Sequence, residues 1–209
     1  MVTLDQFRVF FDKLAQTYSE NEEYLTDLDS AIGDADHGVN LKRGFTAAQK
    51  QLAETEQNSI GDLLKTVSMQ LIKTVGGASG PLYGTFFLKA SMAAGNAREL
   101  DAVQLCKAFE EGVAGLIARG KAEVGDKTMI DTWVPAMEAM KEAAKNAPSS
   151  VREMLVQGAA AAETGMKSTV DIIAKKGRAS YLGERSRGHQ DPGATSSYLM
   201  LKTAAETLG

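Results

Sequence analysis

Apolar residues recur along this chain at helical spacing from one end to the other. Leu4, Phe7, Phe11, Leu14 and Tyr18 follow a three–four spacing that lines one face, which predicts a helix from about Thr3 to Asp29. Thr3 and Gln6 form a capping-box pattern at its start. Leu41, Phe45, Ala48 and Leu52 predict a second helix from near Gly38 to about Glu56. Ile60, Leu63, Leu64, Val67 and Leu71 predict a third, starting after Ser59 and stopping at Gly76-Gly77. A fourth begins at Pro81, a favoured first-turn residue, and carries Leu82, Phe86 and Phe87. Cys106, Phe109, Val113, Leu116 and Ile117 share one side of a fifth, from about Asp101 to Arg119. The sixth covers about Met129 to Asn146, with Pro135 in its first turns, and the seventh about Ser150 to Lys176. A polar loop from Gly177 to Pro192 precedes an eighth helix, Gly193 to about Thr207.

The pattern is therefore all-α, with eight helices and no convincing strand. No linker, internal repeat or low-complexity tract divides it, so residues 1–209 read as one domain. Short connections favour antiparallel neighbours. Eight up-and-down helices could close into a barrel with ligands gathered at one end.

Composition narrows the function. Hydrophobic residues make up 44% of the chain, the share of an ordinary globular protein. A formal net charge of −4 argues against a nucleic-acid partner. The single cysteine, Cys106, excludes an internal disulfide and a thiolate zinc cluster, and reads as a small buried hydrophobe. No apolar run is long enough to span a bilayer and the N-terminus has no signal-peptide pattern. A cytoplasmic protein with no membrane partner is expected.

The candidate chemistry begins at Leu28-Asp29-Ser30-Ala31-Ile32-Gly33-Asp34-Ala35-Asp36-His37-Gly38-Val39-Asn40. Asp34 and Asp36 flank one alanine, and in an extended segment residues two apart share a side. Gly33 and Gly38 allow turns that bring Asp29 alongside them. Three clustered carboxylates repel one another and call for a cation. An all-oxygen donor set favours a hard ion such as Mg²⁺, held jointly with substrate phosphates. The competing reading is a solvated turn between helices. An EF-hand loop is excluded: counted from Asp34, position 6 is Val39, where glycine is needed. Neutral imidazole suits Mg²⁺ poorly, so His37 reads as a hydrogen-bonding partner rather than a ligand.

Three further junctions run from a small-residue loop into a helix, where free N–H groups attract anions. Gly76-Gly77-Ala78-Ser79-Gly80-Pro81 is one, with Ser79 as a candidate cap or phosphate ligand; the His37-Gly38-Val39-Asn40 helix start is another. Asp191-Pro192-Gly193-Ala194-Thr195-Ser196 is the third, preceded by Arg178, Arg185, Arg187 and His189 among glycines. Arginines on such a loop suit a developing phosphoryl charge, and Arg178 is the candidate to stabilise it. An ordinary turn and a solvated basic loop are the plain alternatives. Gly115 to Ala122 imitates a P-loop but has Ala122 where Ser or Thr is required and starts inside a helix, so it is rejected. Gly120 through Met129 still suits a loop wrapping an adenine.

Several longer motifs stand in one order: Ile32-Gly33-Asp34-Ala35-Asp36-His37-Gly38, Val75-Gly76-Gly77-Ala78-Ser79-Gly80-Pro81, Gly125-Asp126-Lys127-Thr128-Met129, Lys176-Gly177-Arg178-Ala179-Ser180-Tyr181-Leu182-Gly183, and His189-Gln190-Asp191-Pro192-Gly193-Ala194-Thr195-Ser196. Together with Arg119-Gly120-Lys121-Ala122, they resemble the nucleotide-binding L subunits of bacterial dihydroxyacetone kinases over nearly the whole chain.

That resemblance implies an antiparallel eight-helix barrel and two Mg²⁺ held by Asp29, Asp34 and Asp36. It implies nucleotide contacts at His37, Gly38, Val39, Asn40, Ala78, Ser79, Gly120, Met129, Arg178, Asp191, Pro192 and Gly193. The chain shows no dihydroxyacetone-binding domain, which resembles the phosphoenolpyruvate-dependent arrangement. There ADP is a tightly held cofactor, a phosphohistidine M subunit of the phosphotransferase system rephosphorylates it, and the γ-phosphoryl passes to dihydroxyacetone on a K subunit. Rival expectations are an ATP-dependent subunit with exchangeable nucleotide, a fatty-acid kinase-like nucleotide domain, and a regulatory module that binds a transcription regulator.

Overall fold

A computed structural model of the chain describes residues 1–147 and 150–209. The elements are β1 (Val2–Thr3), α1 (Leu4–Glu20), α2 (Glu22–Ile32), α3 (His37–Glu54), α4 (Ile60–Thr74), α5 (Ser79–Ala94), β2 (Glu99–Leu100), α6 (Ala102–Gly120), α7 (Ile130–Asn146), α8 (Val151–Ser168), a 3₁₀ segment (Arg178–Ser186) and α9 (Pro192–Thr207). Five of the α-helices start on a side-chain cap: Thr3, Ser59, Asp101, Ser150 and Asp191 each accept from a backbone N–H of the first turn. At Thr3 the full capping box with Gln6 is present.

The result is an all-α bundle of tightly packed helices, α4 against α5, α5 against α6, α6 against α7, α7 against α8, and α8 against α9, which returns to α1. It departs from the sequence reading in four places. The expected single first helix is two, because Asn21 breaks it: its side-chain amide donates to the Thr17 carbonyl at 2.8 Å, beside its own backbone N–H. With the 3₁₀ segment, the described residues hold nine α-helices and one 3₁₀ helix, not eight helices. A short strand pair exists, with Val2 opposite Leu100 and Thr3 opposite Glu99 in antiparallel register. The helix expected to reach Lys176 stops at Ser168.

That last difference has a tertiary cause. Beyond Ser168, the carbonyls of Thr169 and Ile172 accept from the Lys127 ammonium, at 2.6 and 3.2 Å, and Val170 O accepts from Gly188 N. Lys175 N donates to Asp126 O and Ala174 N to Ser186 Oγ. Distant partners thus take the backbone groups that a helix would have used.

The core is aromatic. Phe86 lies 5.1 Å from Phe87, 5.7 Å from Phe109 and 4.7 Å from Trp133, while Phe87 continues to Phe11 at 5.3 Å. All five rings are buried, and they join α1, α5, α6 and α7. Loops at one end of the bundle converge on a cavity. Both chain ends lie at the other end: β1 pairs beside the loop after α5, and Gly209 sits against Arg152 at the start of α8.

Phe86→Ala removes the ring that touches Phe87, Phe109 and Trp133, so unfolding free energy should fall by about 3–5 kcal/mol. Urea titration followed by far-ultraviolet circular dichroism measures this, and Phe86→Leu should lose clearly less.

Candidate functional site

Asp29 lies in the last turn of α2 and is buried. Its Oδ2 accepts from the backbone N–H of Asp36 at 2.9 Å and of His37 at 3.2 Å, folding the Gly33–Asp36 turn back over the helix end. Gly33 is required here, since a Cβ on it would stand 1.9 Å from Asp29 Oδ1. The turn is not the extended segment the sequence suggested. Ala35 is left-handed at φ 59°, and this conformation turns Asp34 and Asp36 toward Asp29. One oxygen from each of the three carboxylates lies within 4.8 Å of the others. Arg178 reaches the cluster, with Nη2 3.0 Å from Asp34 Oδ2. Three carboxylates sharing one exposed arginine leave an excess of negative charge, and the all-oxygen donors fit a hard divalent cation.

Behind the cluster stands a polar network. His37 opens α3; its Nε2 meets Ser196 Oγ of α9 at 2.9 Å and its Nδ1 meets Ser79 Oγ of α5 at 3.1 Å. Ser196 Oγ also contacts Tyr83 OH at 2.7 Å, and Tyr18 OH donates to Ser196 O at 2.8 Å. Burial drives the His37 pKa down to about 4, against the opposing pull of Asp29 and Asp36, so the imidazole is neutral at pH 7. Burial likewise pushes Tyr83 up to about 12. The network joins the starting turns of three helices. Ser79 does not cap α5, whose N-cap is Ala78, and that helix starts two residues before Pro81.

A second hub holds the opposite wall. Lys127 is fully buried and left-handed, and its ammonium donates to the carbonyls of Thr169, Ile172 and His189. Asp131 Oδ1 accepts from Gly125 N at 2.5 Å and Oδ2 from Thr128 N at 2.7 Å, which shapes the loop carrying Lys127. Asp191 caps α9 through Ala194 N at 2.7 Å. Burial lifts its pKa to about 7, with Asp131 and Asp29 adding to the rise and Lys127 opposing it. Sequence reasoning missed Lys127 as a tether and Asp131 as the organiser of its loop. A lysine in a Gly-Asp-Lys-Thr turn carries no mark of burial.

The cavity between these walls has two compartments. The polar one is lined by Asp29, Asp34, Asp36, His37, Ser79, Arg178 and Asp191-Pro192-Gly193. The apolar one, of about 370 Å³, is lined by Pro81, Leu82, Leu116, Gly120, Ala122 and Ile130, with Arg119 also in its wall. That volume lies in the roughly 300–1,000 Å³ range of small-molecule sites. Ala78, Leu82, Thr128, Met129, Lys176 and Gly177 line both compartments and make them continuous. The geometry brings His37, Ala78, Ser79, Gly120, Met129, Arg178, Asp191, Pro192 and Gly193 to one cavity with the three aspartates. It leaves Gly38, Val39 and Asn40 out of the lining. Gly38 packs on α2, where a Cβ would meet Glu22 O at 2.0 Å; Val39 is exposed; and Asn40 Oδ1 accepts from Arg43 Nη2 at 2.6 Å. An anionic group joined to the aspartates through such a cation, with an apolar ring in the second compartment, is the ligand shape that fits.

Residues 31–206 match the DAK2 domain family. The ADP-binding subunit DhaL of the PEP-dependent dihydroxyacetone kinase of Escherichia coli (strain K12) is 48% identical over 188 residues, 90% of this chain and 89% of that one. The ADP-binding subunit DhaL of the PTS-dependent dihydroxyacetone kinase of Lactococcus lactis subsp. lactis (strain IL1403) is 38% identical over 208 residues, covering 100% of both. Among solved structures, the dihydroxyacetone kinase from C. freundii in complex with AMP-PNP and Mg²⁺ superposes with a TM-score of 0.74 at 25% identity. The match covers 95% of this chain and 33% of that one, so the chain spans about a third of that kinase.

The buried Asp191 carboxyl gives a pH signature. Its folded pKa is about 7, above an unfolded value near 3.9. A raised pKa contributes stability that is full below the unfolded value and lost as pH rises through the folded one. Measured without nucleotide or metal, the wild type should gain stability relative to Asp191→Asn as pH falls from about 7 to about 4. Parallel urea titrations across that window check the sign, and His37, common to both proteins, cancels.

Proposed function

The chain belongs to the DAK2 domain family, and from that premise we propose that it is the nucleotide-binding subunit of a phosphoenolpyruvate-dependent dihydroxyacetone kinase. The observation that carries this is the match to ADP-binding subunits over 90–100% of this chain and 89–100% of theirs, at 48 and 38% identity. When bound, ADP takes a phosphoryl group from a phosphohistidine M-type subunit of the phosphotransferase system and gives it to dihydroxyacetone on a K-type subunit, while Mg²⁺ offsets the phosphate charge.

This chain's residues bind and orient. Asp29, Asp34 and Asp36 hold the metal, and two ions fit the charge: three carboxylates and a diphosphate carry roughly −6, which one Mg²⁺ leaves mostly uncompensated. Ala78, Ser79 and Pro192-Gly193 line the polar compartment at the starts of α5 and α9, where the Ser79 and Gly193 N–H groups and the Ser79 hydroxyl would meet phosphate oxygens. Leu82, Leu116, Met129 and Ile130 accept the base, with Gly120 beside it. His37, neutral at pH 7, and the Asp191 cap set the helix starts. Gly38, Val39 and Asn40 support the α3 start from behind. Arg178, on the exposed side of the polar compartment, exchanges Asp34 for the transferring phosphoryl group, whose charge is spread over its equatorial oxygens. No side chain here acts as a nucleophile; positioning and charge do the work. The packing of α9 back on α1 supports reading the bundle as an eight-helix barrel, with α2 as a flanking piece.

The function is tested by turnover. With K-type subunit and dihydroxyacetone, free ATP should support little beyond one turnover, and the phosphohistidine donor should restore cycling. Sustained turnover on ATP alone at matching rates would instead make the nucleotide an exchangeable substrate.

Two substitutions test the site. Asp34→Asn should abolish ADP retention and lower thermal stability by the lost ligand contribution; calorimetry with ADP and Mg²⁺ reads this. Arg178→Lys should slow transfer by about 10²-fold while ADP affinity changes little. A merely exposed ion pair with Asp34, worth about 1 kcal/mol or less, would leave the rate unchanged.

A further inference from the structure

Four cationic residues line the two compartments of the cavity, and they are placed differently. Lys127 is committed to the backbone carbonyls of Thr169, Ile172 and His189. Arg178 lines only the polar compartment and pairs with Asp34. Arg119 lines only the apolar one. Lys176 lines both, so it stands at the seam between them. It is exposed, and among the described residues it forms no ion pair.

The backbone that carries Lys176 is fixed on both sides. Before it, Ala174 N donates to Ser186 Oγ at 2.9 Å and Lys175 N to Asp126 O at 3.1 Å. After it, Ala179 is buried with Ala174 and Ile32 in a small apolar cluster apart from the main core. Lys176, Gly177 and Arg178 therefore bridge two anchored points at the edge of the cavity. Gly177, left-handed at φ 65°, turns the chain between the two cations. Arg178 is delivered to the aspartates and Lys176 to the seam.

The order of groups in a nucleotide decides what meets this lysine. With the base in the apolar compartment and the terminal phosphate at the aspartates, the ribose and the α-phosphate cross the seam. An ammonium has three donors and no acceptor, and it meets phosphate oxygens as a compact point charge. We infer that Lys176 is the residue that retains the nucleotide: its ammonium binds the α-phosphate of ADP and ATP alike while the γ-phosphoryl group comes and goes beside Arg178. The inference rests on the proposed function for the identity of the nucleotide. The two cations suit different tasks. The planar fork of Arg178 matches the oxygens of a group in transfer, whereas an ammonium on a flexible stem follows small shifts of a phosphate whose charge never changes. No bond at the α-phosphorus forms or breaks during transfer, so a contact there holds equally well before and after it.

The test uses the full chain with ADP, ATP and Mg²⁺. Lys176→Met removes the charge and keeps the stem, and Lys176→Arg keeps the charge. Lys175→Met is the control, because that neighbouring lysine lines neither compartment. By calorimetry, Lys176→Met should bind ADP and ATP about tenfold more weakly, by one common factor. Lys176→Arg and Lys175→Met should stay within about threefold of the wild type. After dialysis, Lys176→Met should need added ADP to cycle with the phosphohistidine donor, yet reach the wild-type transfer rate at saturating ADP. Phosphorus NMR of bound ADP should show the α-resonance displaced in Lys176→Met and the β-resonance near its wild-type position. Wild-type ADP affinity in Lys176→Met overturns the inference. So does an equal loss in Lys175→Met, or a displaced β-resonance with the α-resonance unmoved. Transfer that stays slow at saturating ADP also overturns it, by putting the lysine on the transferring group. A wild type that retains ADP but transfers nothing, with retention still lost in Lys176→Met, would refute the kinase role and leave the nucleotide anchor standing.

Discussion

Asp29 accepts two backbone N–H groups from the chain that turns back over it, and the cavity is arranged around that pair of bonds. They bind the end of α2 to the start of α3 and force the left-handed step at Ala35. They also crowd three carboxylates that repel one another. Crowding of this kind persists only where the surroundings fix it, and here the surroundings are helix ends that cannot shift independently. Arg178 offsets part of the charge from outside, on an exposed and replaceable contact. The site is thus rigid in its carboxylates and adjustable in its counter-charge, which suits a group that must be gained and lost during transfer.

The buried polar groups divide the same labour. His37, Ser79, Ser196 and Tyr83 join three helix starts through neutral hydrogen bonds. Lys127 joins the loop before α7 to the segments that follow α8 and precede α9. Both hubs are desolvated, so each polar atom within them depends on its partner. Their strictness explains why the walls meet at a fixed spacing although most of the lining is loop.

Much of this was legible in the residues. The spacing of Leu4, Phe7, Phe11 and Leu14, and the stripes that follow it, carried the helical class, because periodicity reports the face that must be buried. The aspartates and the small-residue loops marked the polar compartment, because charge and glycine are local signals. What escaped was tertiary. Asn21 breaks a helix whose apolar stripe runs on through Leu25. Thr169 to Lys176 has helical composition but surrenders its carbonyls to Lys127, a residue more than forty positions away. Gly38 is also the point where α3 rests on α2, a close approach that its place in a glycine-containing motif does not mark.

The placement of the two chain ends bears on how such a unit enters larger proteins. Val2 and Gly209 both lie at the end of the bundle remote from the cavity. A gene fusion at either end would add its product behind the bundle and leave the mouth open, provided the added linker is long enough to reach around. Recombination can therefore attach or detach further chain without repacking a single helix. That placement fits an architecture that makes up 89% of the E. coli subunit by alignment and a third of the much longer C. freundii chain.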